Sequence, residues 1–270
     1  MSTIAKTGKT YSYLWKKSIV KELPPHWHYH DMQAVIPERI VRGERGIDLG
    51  SGCGYDTRFM ALDSPAVIVL SLDISDGIFY TKGLASNLPN VKPIKASLLA
   101  LPIKSESLDF VYSYGVIHHT PNPTLAVKEM NRVLKIGAPT FLYVYDKHEN
   151  NQLKMYALKI IALVRKVTTR MHPKLLYAIS FILSPCIVCT FSLTARIMRH
   201  FKKTRVLANQ IPFNFATNFF SVTGDLYDRF SAPIECRYSA EEITSLLKQN
   251  NFTRITLTRF REKAGWVILG

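Results

Sequence analysis

The stretch Gly46-Ile47-Asp48-Leu49-Gly50-Ser51-Gly52-Cys53-Gly54 decides how the chain folds. Apolar residues run into an acid and then into glycines at alternate positions. The pattern predicts a β-strand over 45–49 that ends in a tight turn. Glycines in such a turn let backbone approach a ligand where a Cβ would intrude. In open α/β sheets, ligands bind at the carboxyl ends of strands, where this turn falls. The spacing Gly50-x-Gly52-x-Gly54 fits the dinucleotide fingerprint G-x-G-x-x-G poorly.

Downstream, residues 56–62 begin a helix whose free N-terminal amides favour an anion. Ala66 to Asp73 is nearly all apolar, as a parallel strand buried on both faces should be. It closes on Asp73, which either caps the next helix or accepts from vicinal hydroxyls of a ligand. A helix over 77–85, a turn at Asn87–Asn90 and a strand over 91–95 follow. A turn at 105–107 leads to a strand over 108–114 and then to Gly115-Val116-Ile117-His118-His119. Residues 124–134 read as a helix that buries Leu125, Met130, Val133 and Leu134 and stops at Lys135-Ile136-Gly137. A strand over 138–145 completes the alternation, which predicts a doubly wound parallel sheet. Near the other end, Ser239 and Glu242 form a capping box for a helix with Ile243, Leu246 and Leu247 on its apolar face. Strands at 253–259 and 264–269, joined through Arg261-Glu262-Lys263, predict a final antiparallel hairpin.

Upstream, Tyr11-Ser12-Tyr13-Leu14-Trp15-Lys16-Lys17 reads as a short amphipathic helix. Its aromatics either dock it on the core or border a ligand. In an extended His26-Trp27-His28-Tyr29-His30, three imidazoles would share one face, as a metal site or as part of a surface loop or pocket rim. Residues 32–43 read as a short helix interrupted by Pro37.

The 270 residues suffice for one large core plus an insert. Cys53, Cys186, Cys189 and Cys236 are too scattered for a disulfide framework, which favours a reducing compartment. The Cys186-x-x-Cys189 pair lies in an apolar run without a second ligand pair, so no metal is expected. No N-terminal run resembles a signal peptide. The net charge of +15 is uneven: residues 1–150 carry 17 Lys/Arg against 14 Asp/Glu, and residues 151–270 carry 18 against 6. The basic half therefore suits an anionic partner, either nucleic acid or lipid.

Several landmarks together resemble class I S-adenosylmethionine (SAM)-dependent methyltransferases of the small-molecule group that includes ubiquinone-biosynthesis enzymes. They are Asp48–Gly54, Leu72-Asp73-Ile74-Ser75, Leu101-Pro102-Ile103, Leu108-Asp109-Phe110-Val111, Gly115–His119 and Glu129-x-x-Arg132 through Gly137. The resemblance covers residues 45–145. It implies an α/β, Rossmann-like, seven-stranded sheet of order 3-2-1-4-5-7-6, with helices on both faces. It also implies SAM as cofactor and a set of site residues. Asp48 belongs to the motif, and Gly50 and Gly52 would lie beside the methionine part. Asp73 would hold the ribose, Ile74 and Leu98 would flank adenine, and Ser113 or Tyr114 would border the methionine part. Ser97 stands where the family often has Asp accepting from the adenine amino group, and Ala138 replaces a usual glycine. Neither departure removes the glycine turn or the ribose acid.

The chain accordingly divides into an N-terminal helical arm (1–44), a SAM-binding core (45–145), a basic apolar helical insert (146–238) and a segment completing the core (239–270). Within the insert, residues 153–168 form an apolar helix studded with Lys and Arg. Residues 175–195 are uncharged, and Pro185 is a candidate kink. Twenty-one helical residues reach about 31 Å, enough to span a bilayer. One crossing would put strands of a single sheet on opposite sides of the membrane. The insert therefore reads as a cap over the acceptor pocket or as helices lying in an anionic membrane interface. Its basic residues interleave with Leu, Ile and Phe, which disfavours nucleic acid. The expected activity is methyl transfer to a small, hydrophobic or lipid-linked acceptor, in the cytoplasm or peripherally on the inner face of the cell membrane. His118 or His119 is the candidate base, and Tyr11, Trp15 and Tyr145 are candidate acceptor-pocket residues. A non-catalytic SAM-binding scaffold, a nicotinamide dehydrogenase and a nucleic-acid methyltransferase are the competing readings. Oligomeric state is not legible.

Overall fold

In the computed structural model, residues 3–18, 27–149, 152–208, 211, 219–260 and 265–270 are described. Seven strands form one sheet: β1 (Arg45–Leu49), β2 (Ile68–Asp73), β3 (Val91–Lys95), β4 (Phe110–Tyr114), β5 (Thr140–Tyr145), β6 (Thr256–Thr258) and β7 (Gly265–Leu269). Their order is β3-β2-β1-β4-β5-β7-β6, as the resemblance implied. The first five are parallel, while β7 runs antiparallel to both β5 and β6. Residues 261–264, which contain the charged link expected between β6 and β7, lie outside the described residues.

Period-two side-chain alternation explains the unbroken apolar strands. Val111, Leu142 and Ile268 point into one core layer, whereas Phe110, Tyr112, Phe141 and Val267 point into the other. The first layer is covered by α5 (Pro123–Val133) and α11 (Ala240–Lys248), the second by α2 (His28–Val35) and α3 (Tyr55–Asp63). In α5 the buried stripe is Ala126, Val127, Met130 and Val133. Leu125, expected inside, is 36% exposed. At about 100° per residue, Leu125 lies about 140° around the helix from Met130 and so falls on its outer flank. At α11 both bonds of the capping box form: the Glu242 N–H donates to Ser239 Oγ, and the Ser239 N–H donates to Glu242 Oε2 at 2.9 Å.

The N-terminal amphipathic segment is α1 (Thr3–Ser18), and α4 (Gly77–Leu84) follows β2. The lead-in helix begins earlier than its apolar pattern suggests, at His28, and stops before Pro37. This overturns the extended reading of the three histidines. His26 lies outside the described residues, and on a helix His28 and His30 diverge by about 200°. His28 stacks on Tyr114 with ring centroids 4.1 Å apart, while His30 Nε2 lies 3.5 Å from Asp63.

The chain forms two compact units. The first comprises residues 1–155 and 234–270 and contains the sheet. The second, residues 156–233, contains most of α6 (Gln152–Thr168), then α7 (Pro173–Ile187), α8 (Leu193–Arg199), α9 (Arg205–Ala208) and α10 (Phe219–Ser231). Pro185 does not end α7. A π-helical stretch, Val188–Ser192, instead links α7 to α8. Among the described residues, Pro173–Arg199 is the one helical segment long and apolar enough to cross a membrane. Within this unit α7 packs on α10, where Ser184 Oγ and Thr223 Oγ1 share a buried hydrogen bond of 2.6 Å.

Candidate cofactor and acceptor site

The glycine turn is held by its neighbouring strand. The Gly50 and Ser51 N–H groups both donate to the Leu72 carbonyl, at 2.7 and 3.1 Å. Gly50 has φ +76°, and a Cβ there would lie 2.3 Å from the Val116 side chain. Only glycine meets both conditions without strain.

Asp73 clasps the turn from the end of β2. Its Oδ2 accepts from the Gly52 N–H at 2.8 Å and its Oδ1 from the Ser75 N–H at 2.7 Å. Asp73 also borders the open cleft above the turn, which keeps the carboxyl within reach of a ligand. Behind it lie two more buried acids. Asp48 accepts from Thr57 Oγ1 at 2.6 Å. Asp56 accepts from the Tyr29 N–H at 2.7 Å and the Tyr112 hydroxyl at 3.0 Å. Burial raises the Asp48 carboxyl well above the usual range, and the nearby Asp56 and Asp73 raise it further. Burial also raises Asp73, against the pull of its hydrogen bonds from Ser75 and Gly52. The turn thus rests on three buried carboxyl groups, and burial makes those of Asp48 and Asp73 harder to ionise.

A cleft of about 740 Å³, counting its open mouth, lies over the turn. Gly50, Asp73 and Ile74 meet it from below, Ser97 and Leu98 from one side, and Tyr114 and His119 from the other. Ile4, Thr7, Tyr11 and Trp15 of α1 roof it. These four positions follow i, i+3, i+7, i+11, one face of a helix. Two features seat α1. Ser12 Oγ accepts from the Asp76 N–H at 2.8 Å, and the Trp15 indole lies against Gly52, where a Cβ would come within 2.5 Å of the ring.

The candidate site residues separate into two sets. Gly50, Asp73, Ile74, Ser97, Leu98, Tyr114 and His119 line the cleft. Asp48, Gly52, Ser113 and His118 do not. Gly52 lies beneath Trp15, and the Ser113 hydroxyl donates to the Leu49 carbonyl at 2.9 Å. Ser97 Oγ accepts from the Leu99 N–H at 3.2 Å. Tyr114 is stacked between His28 and Tyr143, at 4.1 and 4.4 Å. Among the described residues, no three His, Cys, Asp or Glu side chains are grouped as a metal would require.

The two histidines, on a 3₁₀ turn after β4, differ sharply. His119 Nδ1 lies 2.7 Å from the Ile234 carbonyl. A carbonyl only accepts, so Nδ1 carries the proton and Nε2 keeps a basic lone pair. The His118 ring is fully buried, 4.0 Å from the Tyr145 ring, and neither nitrogen has a hydrogen-bond partner among the described residues. Burial drives its pKa well below the ordinary value, with His119 and Arg237 adding to the shift. Sequence adjacency gave no sign of this difference. It also missed Ile4, Thr7 and Asp56, although the spacing of Ile4, Thr7, Tyr11 and Trp15 was a usable signal for the roof.

Residues 47–142 match the family described as a methyltransferase domain. The chain is 31% identical over 114 residues to an uncharacterized chloroplastic methyltransferase of Arabidopsis thaliana, covering 38% of this chain and 32% of that protein. It is 29% identical over 147 residues to a sterol methyltransferase-like protein of Botryococcus braunii, covering 50% and 37%. It is 25% identical over 126 residues to a demethylmenaquinone methyltransferase of Staphylococcus aureus, covering 46% of each. The chain thus spans less than half the length of each of these relatives.

Proposed function

We propose that residues 47–142, which match a methyltransferase domain, form a class I SAM-dependent methyltransferase core of the ubiquinone-biosynthesis-like group, and that the chain methylates a small, hydrophobic or lipid-linked acceptor in the cleft roofed by α1. The Asp73 clasp carries this reading. It fixes the glycine turn through one backbone N–H and lines the cleft within reach of a ribose diol. Asp73, at the cleft wall, suits a cofactor bearing a sulfonium and an ammonium, because a cationic ligand favours its ionised form, and it disfavours the pyrophosphate of a nicotinamide dinucleotide. Ile74 and Leu98 provide apolar faces for a purine, and Ser97 provides a neutral acceptor beside them. SAM supplies, when bound, an electrophilic methyl carbon.

The chain's residues then have three tasks. The first is orientation: Tyr11, Trp15 and Tyr114 form an aromatic wall that fixes a planar or apolar acceptor and excludes water. The second is proton removal, which falls to His119. Its Nδ1–H stays bonded to the Ile234 carbonyl, so Nε2 is the atom that takes the acceptor's proton. His118, buried away from the cleft, packs rather than reacts. The third is electrostatic: a positively charged ligand draws Asp73 toward its ionised form, which favours it over an anionic one.

An apolar acceptor is in keeping with the sterol-like and demethylmenaquinone relatives, and the basic second unit supports supply from an anionic membrane on the cytoplasmic face. Side-by-side titration with SAM and NAD tests the cofactor. Tight SAM binding with no NAD binding is expected, and the reverse would end the reading. Transfer of labelled methyl from SAM to an extracted lipid fraction tests the activity.

A further inference from the structure

We infer that the unit Tyr156–Pro233 is immersed from one side in the acyl region of an anionic bilayer, without spanning it. The inference deepens the functional reading by naming where the acceptor comes from, but it rests on a separate surface.

The unit is apolar on the outside. On α7 the inward positions are Leu176, Ser180 and Ser184, and Ser192 and Ala195 continue that side through the π-helical stretch into α8. The outward positions are Phe181, Ile182 (70% exposed), Leu183, Phe191 and Ile197. Leu176 apart, small and hydroxyl residues thus face inward on α7 and α8, toward Val222, Thr223, Leu226 and Tyr227 buried on α10, and large apolar residues face out. On α7 and α8 that inverts the arrangement that water imposes and matches a helix packed in lipid. The α6 helix repeats the pattern. Tyr156, Ile160, Leu163, Val164 and Val167 form one exposed stripe, with Lys159 and Lys166 along its flank. An exposed apolar surface of this extent needs an occupant.

Charge identifies it. Residues 156–233 carry 11 Lys/Arg and two acids, Asp225 and Asp228. Lys174 stands at one end of the uncharged run and Arg196, Lys202 and Lys203 beyond the other, all exposed and able to meet phosphates while the run lies in hydrocarbon. Topology excludes a single crossing. β5 and β7 pair in one sheet, so the chain leaves and returns on the same side. Among the described residues, no second segment is long and apolar enough to cross back.

Cys186 and Cys189 are exposed on this surface and serve as native reporters. The full-length protein is treated with a charged, membrane-impermeant maleimide, free or with vesicles of phosphatidylglycerol and phosphatidylcholine. Modification of both thiols is expected to slow at least about tenfold on these vesicles. The protection should persist in about 0.5 M salt added after binding, because screening at that strength removes surface attraction but leaves buried apolar contact. Ile182→Asp should abolish protection while leaving SAM binding intact. Unchanged modification rates would overturn the inference, as would protection lost in salt. Protection without vesicles that rises with protein concentration would assign the face to a second copy and equally overturn it. SAM titration reads the core separately, so failure of either proposal is recognisable.

Discussion

Replacement of Asp73 by asparagine is the sharpest probe of the cofactor site. Both carboxylate oxygens are occupied from behind by N–H donors, Gly52 at 2.8 Å and Ser75 at 2.7 Å. Asparagine keeps one oxygen and presents an NH₂ in place of the other. One of the two backbone donors must then face a donor, and a buried unsatisfied N–H costs about 1–3 kcal/mol. The melting temperature should fall by about 2–4 °C for each kcal/mol lost, by the scaling for domains of this size. On the ligand side, one charge-assisted hydrogen bond is lost. Bonds to charged groups contribute about 1.5–3 kcal/mol, so the Kd for SAM should rise about 10- to 150-fold. Calorimetric titration of SAM into each protein, with circular dichroism confirming the fold, gives both quantities. A folded Asp73→Asn variant that binds SAM within twofold of the parent would refute the ribose role and the reasoning built on the clasp.

Three further outcomes follow from the same geometry. Asp48 and Asp73 have carboxyl pKa values raised by burial, so the folded protein without ligand holds more protons than the unfolded chain. That contribution to stability is complete below the ordinary value of 3.8 and is lost as pH rises through the raised values; melting curves against pH should show the decline. A bound cation favours the ionised acids, so SAM binding should release protons and tighten with pH, as calorimetry in two buffers of different ionisation enthalpy would reveal. His119→Gln should lower kcat by about 10²-fold or more with SAM affinity unchanged, whereas His118→Leu should leave kcat within a few-fold and stability equal or higher, since it removes two unpartnered buried nitrogens. Ser239→Ala should cost about 0.5–2 kcal/mol in chemical denaturation by removing the cap of α11.

The sheet was legible because its central strands β1, β4 and β5 are buried on both faces, so their apolar runs are long and end at glycines or an acid. The antiparallel β7 was legible for a different reason, a hairpin signal at 253–269. Local pattern failed where tertiary contact decides. His28 and His30 sit on a helix because the chain before Pro37 coils to bury Tyr29 and Met32, and the alternating histidines carried no sign of that. Trp15 read equally well as a docking residue or a pocket residue. It is both, packing on Gly52 and bordering the cleft. His118 and His119 are neighbours in sequence and opposites in environment, because a 3₁₀ turn points one ring into the core and the other toward the Ile234 carbonyl. Asp56 joins the buried acids only because Tyr29 and Tyr112, distant in sequence, converge on it.

The pairing of β7 with β5 bears on the order of events during synthesis. Tyr145 pairs in register with Gly265, and everything between them must be made before the sheet can close. At 5–20 residues per second this takes roughly 6–24 s. Throughout that interval the second unit is already emerging, with its lipid-suited helices exposed and the edge of β5 unpaired. An apolar unit delivered before its core has closed has two fates, capture by a surface or self-association. The insertion point after β5 therefore fixes when, as well as where, the nascent chain first meets its surroundings.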